Sequence, residues 1–154
     1  MGASEDAVFA LSHFQADSLV SYANIAKYDA VSGEQMESIS FVADLSDPSL
    51  SFVVDYENDL IYLSAATFVS TSAGVAHTYK RFIRRFDLDL VPDDSVTFNV
   101  LVSTDSVALA ANVNFISDLT YNDTHIFETF SFEPSTFYMM SYLRQTLDIL
   151  AYKR

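Results

Sequence analysis

The sequence predicts an α+β fold with a single domain, residues 1–154, in which an antiparallel sheet is flanked by N-terminal, middle and C-terminal helices. Three observations lead to this prediction. A chain of 154 residues has the length of one domain. Half of the residues are apolar and 14% are aromatic, so the chain can build a core. Apolar residues recur at helical spacing in three stretches and alternate with period two between them.

The first predicted helix covers residues 4–30. Ser4 is a suitable N-cap, and acidic residues follow it in the first turn, where the helix dipole favours negative charge. Gly33 lies where the helix is expected to have ended. The apolar residues that recur near helical spacing are Val8, Leu11, Phe14, Leu19, Tyr22 and Ile25.

Three short strands are predicted to follow. Ile39 and Phe41 alternate with polar residues in the first of them. The turn-forming sequences DPS at 47–49 and END at 57–59 separate the runs. Short runs joined by tight turns predict an antiparallel meander, with strands over residues 38–45, 51–56 and 60–69.

The second predicted helix covers residues 73–86 and contains the stretch YKRFIRRF at 79–86. An apolar stripe at i, i+4, i+7, i+8 and i+11 is typical of an amphipathic helix. Basic residues lie mainly on the remaining face and near the C-terminal end, where they oppose the negative end of the helix dipole. The members of the stripe are Val75, Tyr79, Phe82, Ile83 and Phe86.

Period-two alternation returns over residues 96–103 and 107–115, and a last strand is predicted over 124–132. The sheet would therefore hold about five to six strands, arranged as a meander plus a hairpin. Pro134 is typical of the first turn of a helix and predicts a C-terminal helix. The core stripe of that helix would consist of Met140, Leu143, Leu147 and Leu150.

The charge balance limits the partners of the chain. It carries 21 Asp and Glu against 8 Lys and Arg, which gives a formal net charge of −13 at pH 7. Nucleic acids and anionic membranes would repel it, so we expect no general binding to either. Even a long apolar run such as VALAA at 107–111 is far too short for a membrane span. With no visible signal peptide, we expect a cytoplasmic protein or one within an assembled particle.

The sequence contains no catalytic motif. The chain lacks Cys, which excludes thiol catalysis, and it has no G-x-S-x-G, H-E-x-x-H or phosphate-loop pattern. We therefore predict a protein that is not an enzyme and has no cofactor. The stretch DLDLVPDD offers Asp87, Asp89, Asp93 and Asp94 as weak candidates for a metal site that binds a hard cation, and the alternative is a solvated loop.

The basic cluster is predicted to belong to an interface. It can pair locally with carboxylates, dock an acidic surface such as another copy of the chain, or bind phosphate. Tyrosines of the C-terminal helix combine apolar area with a polar tip, which is typical of interfaces. The predicted interface residues are Lys80, Arg81, Arg84, Arg85, Tyr138, Tyr142 and Tyr152.

These observations favour a non-catalytic assembly or interaction protein, working as a homo-oligomer or as a subunit of a larger complex such as a virion or a tail. Two alternatives stay open at this point. One is a chaperone-like adaptor that binds a client segment through exposed sheet or helix surface. The other is a small metal-dependent enzyme or ligand binder that uses the cluster from Asp87 to Asp94.

Overall fold

The computed structural model describes residues 6–15, 21–43, 50–72, 76–103, 116–133 and 136–153. Within these residues the fold is all-β, with 11 strands in three antiparallel sheets. The described residues form no helix, and therefore none that is long and apolar enough to cross a membrane. The predicted α+β fold with three helices is wrong.

Each sheet is an antiparallel meander, because strands that follow one another in the chain lie side by side. Sheet A consists of β1 (Ala7–Gln15), β2 (Ser21–Asp29) and β3 (Gln35–Ala43). Sheet B consists of β4 (Ser51–Asp55), β5 (Leu60–Ser72), β6 (Ala76–Asp87) and β7 (Pro92–Ser103). Sheet C consists of β8 (Ile116–Tyr121), β9 (His125–Glu133), β10 (Thr136–Leu143) and β11 (Ile149–Lys153).

Sheet B is the middle of three layers, because its two faces contribute to two different cores. Strands alternate their side chains between the faces of a sheet, so Ile61 and Tyr62 of β5 enter opposite cores. The A–B core, between sheets A and B, buries Phe9, Ala23, Ile25, Phe41, Ile61, Leu63, Ala65, Phe82, Phe86 and Leu90. The B–C core, between sheets B and C, buries Tyr62, Ile83, Leu119, Ile126, Phe130, Tyr138, Met140, Tyr142 and Leu147.

The predicted middle helix is strand β6. Phe82 and Phe86 face the A–B core, whereas Ile83 between them faces the B–C core. Because both faces of sheet B are covered, apolar residues occur at both odd and even positions of β6. Their combined spacing imitates the period of an amphipathic helix, which explains the error.

The predicted N-terminal helix is the β1–β2 hairpin. Phe9 and Leu11 of β1 point into the A–B core, but Val8 and Phe14 on the opposite face are apolar as well. These exposed apolar residues hide the period-two pattern that a half-buried strand would show. Gly33 does not end a helix but lies in the β2–β3 turn, where its φ of 72° favours glycine.

The predicted C-terminal helix is the β10–β11 hairpin. Met139 is exposed between the buried Tyr138 and Met140, which is the alternation of a strand with one face covered. Pro134, which suggested the start of the helix, lies outside the described residues.

Several predicted strands are confirmed. Those over 51–56, 60–69 and 124–132 correspond to β4, β5 and β9, and the END turn joins β4 to β5. The predicted meander is wrong in one respect, because β3 belongs to sheet A and does not pair with β4. The predicted strand over 96–103 is the second part of β7, whereas the one over 107–115 lies outside the described residues.

Two buried leucines in hairpin turns close the two cores. Leu90 in the β6–β7 turn enters the A–B core, and Leu147 in the β10–β11 turn enters the B–C core. Both have a left-handed backbone, with φ of 58° and 57°. This conformation costs a non-glycine residue roughly 1–2 kcal/mol. Burial of a leucine side chain stabilises by about 1.5–3 kcal/mol and offsets that cost.

Candidate functional site

The basic residues of the predicted interface lie on β6, an inner strand of sheet B. The side chains of Lys80 and Arg81 lie outside the described part of the structure. Arg84 turns toward the A–B core, with its guanidinium carbon 4.8 Å from the centre of the Phe82 ring. Arg85 points to the other face, so the two described arginines do not form one patch.

Arg85 makes its contacts within the chain. Its Nε donates to Asp93 Oδ2 at 2.6 Å, and its Nη2 lies 3.8 Å from Asp94 Oδ2. Its Nη1 donates to the main-chain carbonyls of Arg144 and Gln145 at 3.2 and 2.6 Å. Arg85 therefore holds the β10–β11 turn of sheet C against sheet B.

The acidic residues after β6 point to separate partners. Asp87 Oδ1 accepts hydrogen bonds from the main-chain N–H groups of Asp89 and Val91 at 3.0 and 2.8 Å. Asp89 pairs with Lys27 of β2 at 2.8 Å, and the remaining two carboxylates face Arg85. Among the described residues, no group of three or more His, Asp or Glu side chains is arranged to hold a metal ion. These carboxylates form the turn and its ion pairs.

The predicted interface tyrosines are not grouped at the surface. Tyr138 and Tyr142 are buried in the B–C core. Tyr138 stacks on Phe130 with 5.2 Å between ring centres, and Tyr142 Oη donates to Glu128 Oε2 at 2.7 Å. The side chain of Tyr152, on β11, lies outside the described part of the chain. Contact with a partner through Tyr138 or Tyr142 would require the core to open.

A buried ion pair connects sheet B to the last turn of sheet C. Arg144 in the β10–β11 turn is 7% exposed, and Asp55 at the end of β4 is fully buried. Arg144 Nε donates to Asp55 Oδ2 at 2.7 Å, and Nη2 donates to the same oxygen. Nη1 donates to the Asn122 carbonyl at 3.1 Å, and the guanidinium lies 4.8 Å from the centre of the Tyr121 ring. We call these contacts the Arg144 network.

Burial and charge shift protonation in this network. Burial raises the pKa of Tyr62, whose hydroxyl donates to the Arg144 carbonyl, and burial also raises the pKa of Tyr121. Burial by itself would lower the pKa of Arg144, but the hydrogen bond and charge of Asp55 outweigh it and raise the pKa. The Arg144 guanidinium is therefore charged at neutral pH, and the two phenols beside it are neutral.

A half-open cleft of about 260 Å³ borders the Arg144 network. Its two arginines, Arg85 and Arg144, already donate to carboxylates and carbonyls of the chain itself. Their charge therefore serves to hold sheets B and C together. The lining residues are Asn58, Leu60, Tyr62, Arg85, Asp93, Asp123, Arg144 and Gln145.

A hydroxyl, a carboxylate and a phenol meet inside the B–C core. Ser64 of β5 donates to Glu128 Oε1, and Tyr142 of β10 donates to Oε2 of the same carboxyl group at 2.7 Å. All three side chains are fully buried. A general base has to reach the proton it abstracts from a substrate, and this group lies between two sheets. It connects the sheets and does not form an accessible reactive site.

The outer face of sheet A, which points away from sheet B, carries no charged side chain among its described residues. Phe9 and Ile25 are buried in the A–B core, which fixes the direction of the alternation. Val8 is 53% exposed and Phe14 is 46% exposed, and Phe14 stacks on Tyr22 at 5.5 Å between ring centres. The outer face consists of Val8, Ala10, Ser12, Phe14, Tyr22, Asn24, Ala26, Tyr28, Ser38 and Ser40.

The described residues of this face are uncharged, although the molecule is strongly acidic. With a net charge of −13, like-charge repulsion opposes the approach of most acidic macromolecules, including a second copy. A sheet face without charge removes that local repulsion. The outer face of sheet C differs in this respect, because the exposed Asp118 lies on it, next to the buried Leu119.

Neither the uncharged face nor the Arg144 network is predicted from the sequence. The face was hidden because β1 and β2 were assigned to one helix, although alternate residues from Val8 to Phe14 and from Tyr22 to Tyr28 are uncharged. The ion pair leaves no local pattern, since Asp55 and Arg144 are 89 residues apart in the chain.

No protein-family model, curated protein or solved structure matches this chain. A proposal for its function therefore depends on the geometry described above.

Proposed function

We propose that this chain is a non-catalytic assembly or interaction protein, a homo-oligomer or a subunit of a larger complex such as a virion, and that sheet A is its contact surface. The observation that carries the proposal is the uncharged outer face of sheet A on a chain of net charge −13. The centre of a protein interface is depleted in charged residues and enriched in aromatic ones. The stacked Phe14 and Tyr22 fit that composition.

The contacts of the ionisable residues support the same proposal. Arg85 and Arg144 hold sheet C to sheet B, and Glu128 is fully buried between those sheets. These charged groups form contacts within the chain. The outer face of sheet A carries no charge among its described residues, so a partner can bind there at low electrostatic cost.

Sedimentation velocity at low and high salt tests the proposal. We expect a species larger than one chain that persists at high salt, because an uncharged interface is little affected by screening. Ala10→Lys places a charge on the outer face and is expected to weaken assembly by about tenfold or more. Thr120→Lys, on the outer face of sheet C, makes the same change in net charge and is the matched control.

The added lysine lowers the overall negative charge, so a weaker assembly of Ala10→Lys cannot result from greater global repulsion. A chain that sediments as a strict monomer at every salt and protein concentration, and that purifies from its native source without a partner, would contradict the proposal. Equal weakening by both lysine variants would show that sheet A is not the contact surface.

A further inference from the structure

Strand β1 is an edge strand with one unpaired side. The order of sheet A is β1-β2-β3, and within the described residues no strand pairs with the outer edge of β1. Unpaired edges template the addition of another strand, and proteins commonly protect them with charged residues, proline or short length. β1 is nine residues long and contains neither a charged residue nor a proline.

The other edge strands of the three sheets are protected in this way. The edge strands besides β1 are β3, β4, β7, β8 and β11. They carry, in that order, Glu37, Asp55, Pro92 with Asp93 and Asp94, Asp118 and Lys153. Among the described edges, β1 alone lacks such a residue, and it borders the uncharged outer face of sheet A.

The hydrogen bonding of β1 shows which of its residues face outward. The main-chain N–H of Ala30 donates to the Asp6 carbonyl at 2.8 Å, and Ala7 is in register with Asp29. Hydrogen-bonded pairs alternate along an antiparallel ladder, so even-numbered residues of β1 bond to β2. The N–H and C=O groups of the odd-numbered residues, from Ala7 to Gln15, therefore point away from β2.

We propose that β1 pairs antiparallel with β1 of a second copy, about a two-fold axis at Leu11, which joins two three-stranded sheets into one continuous sheet. This inference depends on the proposed function, because it names the partner of sheet A. Only odd-numbered residues can bond across the new edge. A pairing that uses the whole strand then sets Leu11 against its own copy, Phe9 against His13, and Ala7 against Gln15, with about ten main-chain hydrogen bonds.

The side chains of β1 are self-complementary in this register. Val8 of one copy faces Phe14 of the other, and these are the exposed apolar residues at the two ends of the strand, 53% and 46% exposed. Directly opposed aliphatic and aromatic side chains on neighbouring strands stabilise a sheet. No charge opposes another charge across the edge, although each copy carries −13. These features select a second copy as the partner.

Cysteine crosslinking tests the register directly, because the chain contains no Cys. The register places Ala10 opposite Ser12 of the partner as a non-hydrogen-bonded pair, about 4.5 Å apart at Cα, which suits a disulfide. A mixture of Ala10→Cys and Ser12→Cys chains is expected to form the mixed disulfide under mild oxidation, measured by intact mass. The matched control is the Ala10→Cys chain alone, since Ala10 lies diagonal to Ala10 of the partner with Cα atoms about 7–8 Å apart, and we expect several-fold less product.

A backbone variant tests the hydrogen bonds of the edge. His13 is exposed and its N–H points outward, so His13→Pro removes a donor to the partner without removing a bond to β2. We expect its self-association to be about tenfold or more weaker, whereas His13→Ala, which keeps the N–H, associates like the parent chain. Matching circular dichroism spectra and unfolding midpoints of the two variants would show that both are folded.

The outcomes separate this inference from the proposed function. Self-association with the mixed disulfide between positions 10 and 12, and with weakening by His13→Pro alone, supports β1 pairing. The chain could also form a stable oligomer, or a stable complex with a different protein, without forming the disulfide and without weakening by His13→Pro. That result overturns the pairing of β1 but leaves the proposed interaction role in place. A strict monomer without a partner overturns both.

Discussion

The two cores of this molecule share one sheet but differ in chemistry. The A–B core is built from aliphatic and aromatic side chains such as Phe9, Ile25 and Phe86. All four of the buried polar and charged residues found among the described residues lie between sheets B and C, and they are Asp55, Ser64, Glu128 and Arg144. The buried contacts between sheets A and B are thus apolar, with the Lys27–Asp89 ion pair at the surface, whereas sheets B and C are joined by packing and by buried polar contacts.

The two outer sheets are therefore held on sheet B in different ways. Apolar packing tolerates changes of side chain if volume and pattern are kept, so the A–B core constrains sheet A mainly by shape. Hydrogen bonds and ion pairs have fixed geometry, and a buried polar group that loses its partner is costly. Glu128 and Arg144 therefore fix the position of sheet C on sheet B more narrowly than the A–B core fixes sheet A.

The largest expected effect comes from breaking the buried ion pair. Arg144→Ala leaves the Asp55 carboxylate buried without its main partner, and we expect a loss of about 3–5 kcal/mol in the free energy of unfolding. Urea denaturation of the variant and the parent chain measures this loss in the free energy of unfolding. The control is Lys27→Ala, which breaks a pair with the 74% exposed Asp89 and is expected to cost about 0–1 kcal/mol.

A double-mutant cycle sharpens this prediction. Asp55→Ala combined with Arg144→Ala should cost less than the sum of the two single changes, by about 0.5–3 kcal/mol, because the second change removes a charge that the first left uncompensated. Strict additivity of the two changes would mean that Asp55 and Arg144 do not act as a pair.

A smaller change in stability is expected at Leu90 and Leu147. Each core contains one of these two leucines, and both have a left-handed backbone. Alanine normally stabilises a protein more than glycine does, but at φ of 58° and 57° it keeps the steric cost that glycine avoids. We therefore expect Leu90→Gly to be more stable than Leu90→Ala by about 1 kcal/mol, and the same order at Leu147. Thermal or urea unfolding of the paired variants measures the difference.

The matched control for these turns is Leu63, which is buried in the A–B core within a strand. Leu63→Ala should be more stable than Leu63→Gly, by roughly 0.5–1 kcal/mol, which is the usual order. If Leu90 and Leu147 follow the order of Leu63, the left-handed conformation is not a source of strain in these turns.

The smallest predicted effect is on how the stability of the fold depends on pH, through Tyr62 in the B–C core. Burial raises the pKa of Tyr62 above 10.0, so the folded state favours the neutral phenol. This contribution to stability is complete below pH 10.0, the value expected for the unfolded chain, and is lost as the pH rises through the higher folded-state pKa. The stability of Tyr62→Phe should therefore fall less steeply above pH 10.0 than the stability of the parent chain.

Urea midpoints measured between about pH 9 and about pH 11 would show this difference in slope. At neutral pH, Tyr62→Phe removes a single hydrogen bond of 3.4 Å, so its cost should stay below about 1 kcal/mol. Identical slopes for the two proteins would contradict the assignment of a raised pKa to Tyr62.

The comparison of the two cores also explains which elements the sequence could predict. β4, β5 and β9 were predicted from clear turn sequences and strand-like runs. In β6, buried Phe82 and Ile83 serve different cores, so no single face is apolar and the period-two signal disappears. A rule that looks for one buried face cannot recognise a strand of a middle layer.

The candidate site was harder to predict than the strands. The uncharged face follows from reading alternate residues of β1 and β2, which is possible only after these segments are recognised as strands. The pairing of Asp55 with Arg144 depends on three-dimensional proximity across two sheets, and no spacing rule contains it. That the chain acts as a non-catalytic interaction protein stays a prediction, and sheet A is its proposed contact surface.

The separation of 89 residues between Asp55 and Arg144 has a consequence for synthesis on the ribosome. All buried residues of the A–B core lie between Phe9 and Leu90, so sheets A and B can associate once about 100 residues have emerged. Asp55 then stays hydrated at the end of β4 until Arg144 has emerged as well. Sheet C therefore docks after sheets A and B have associated. Until it docks, the nascent chain exposes the face of sheet B that belongs to the B–C core.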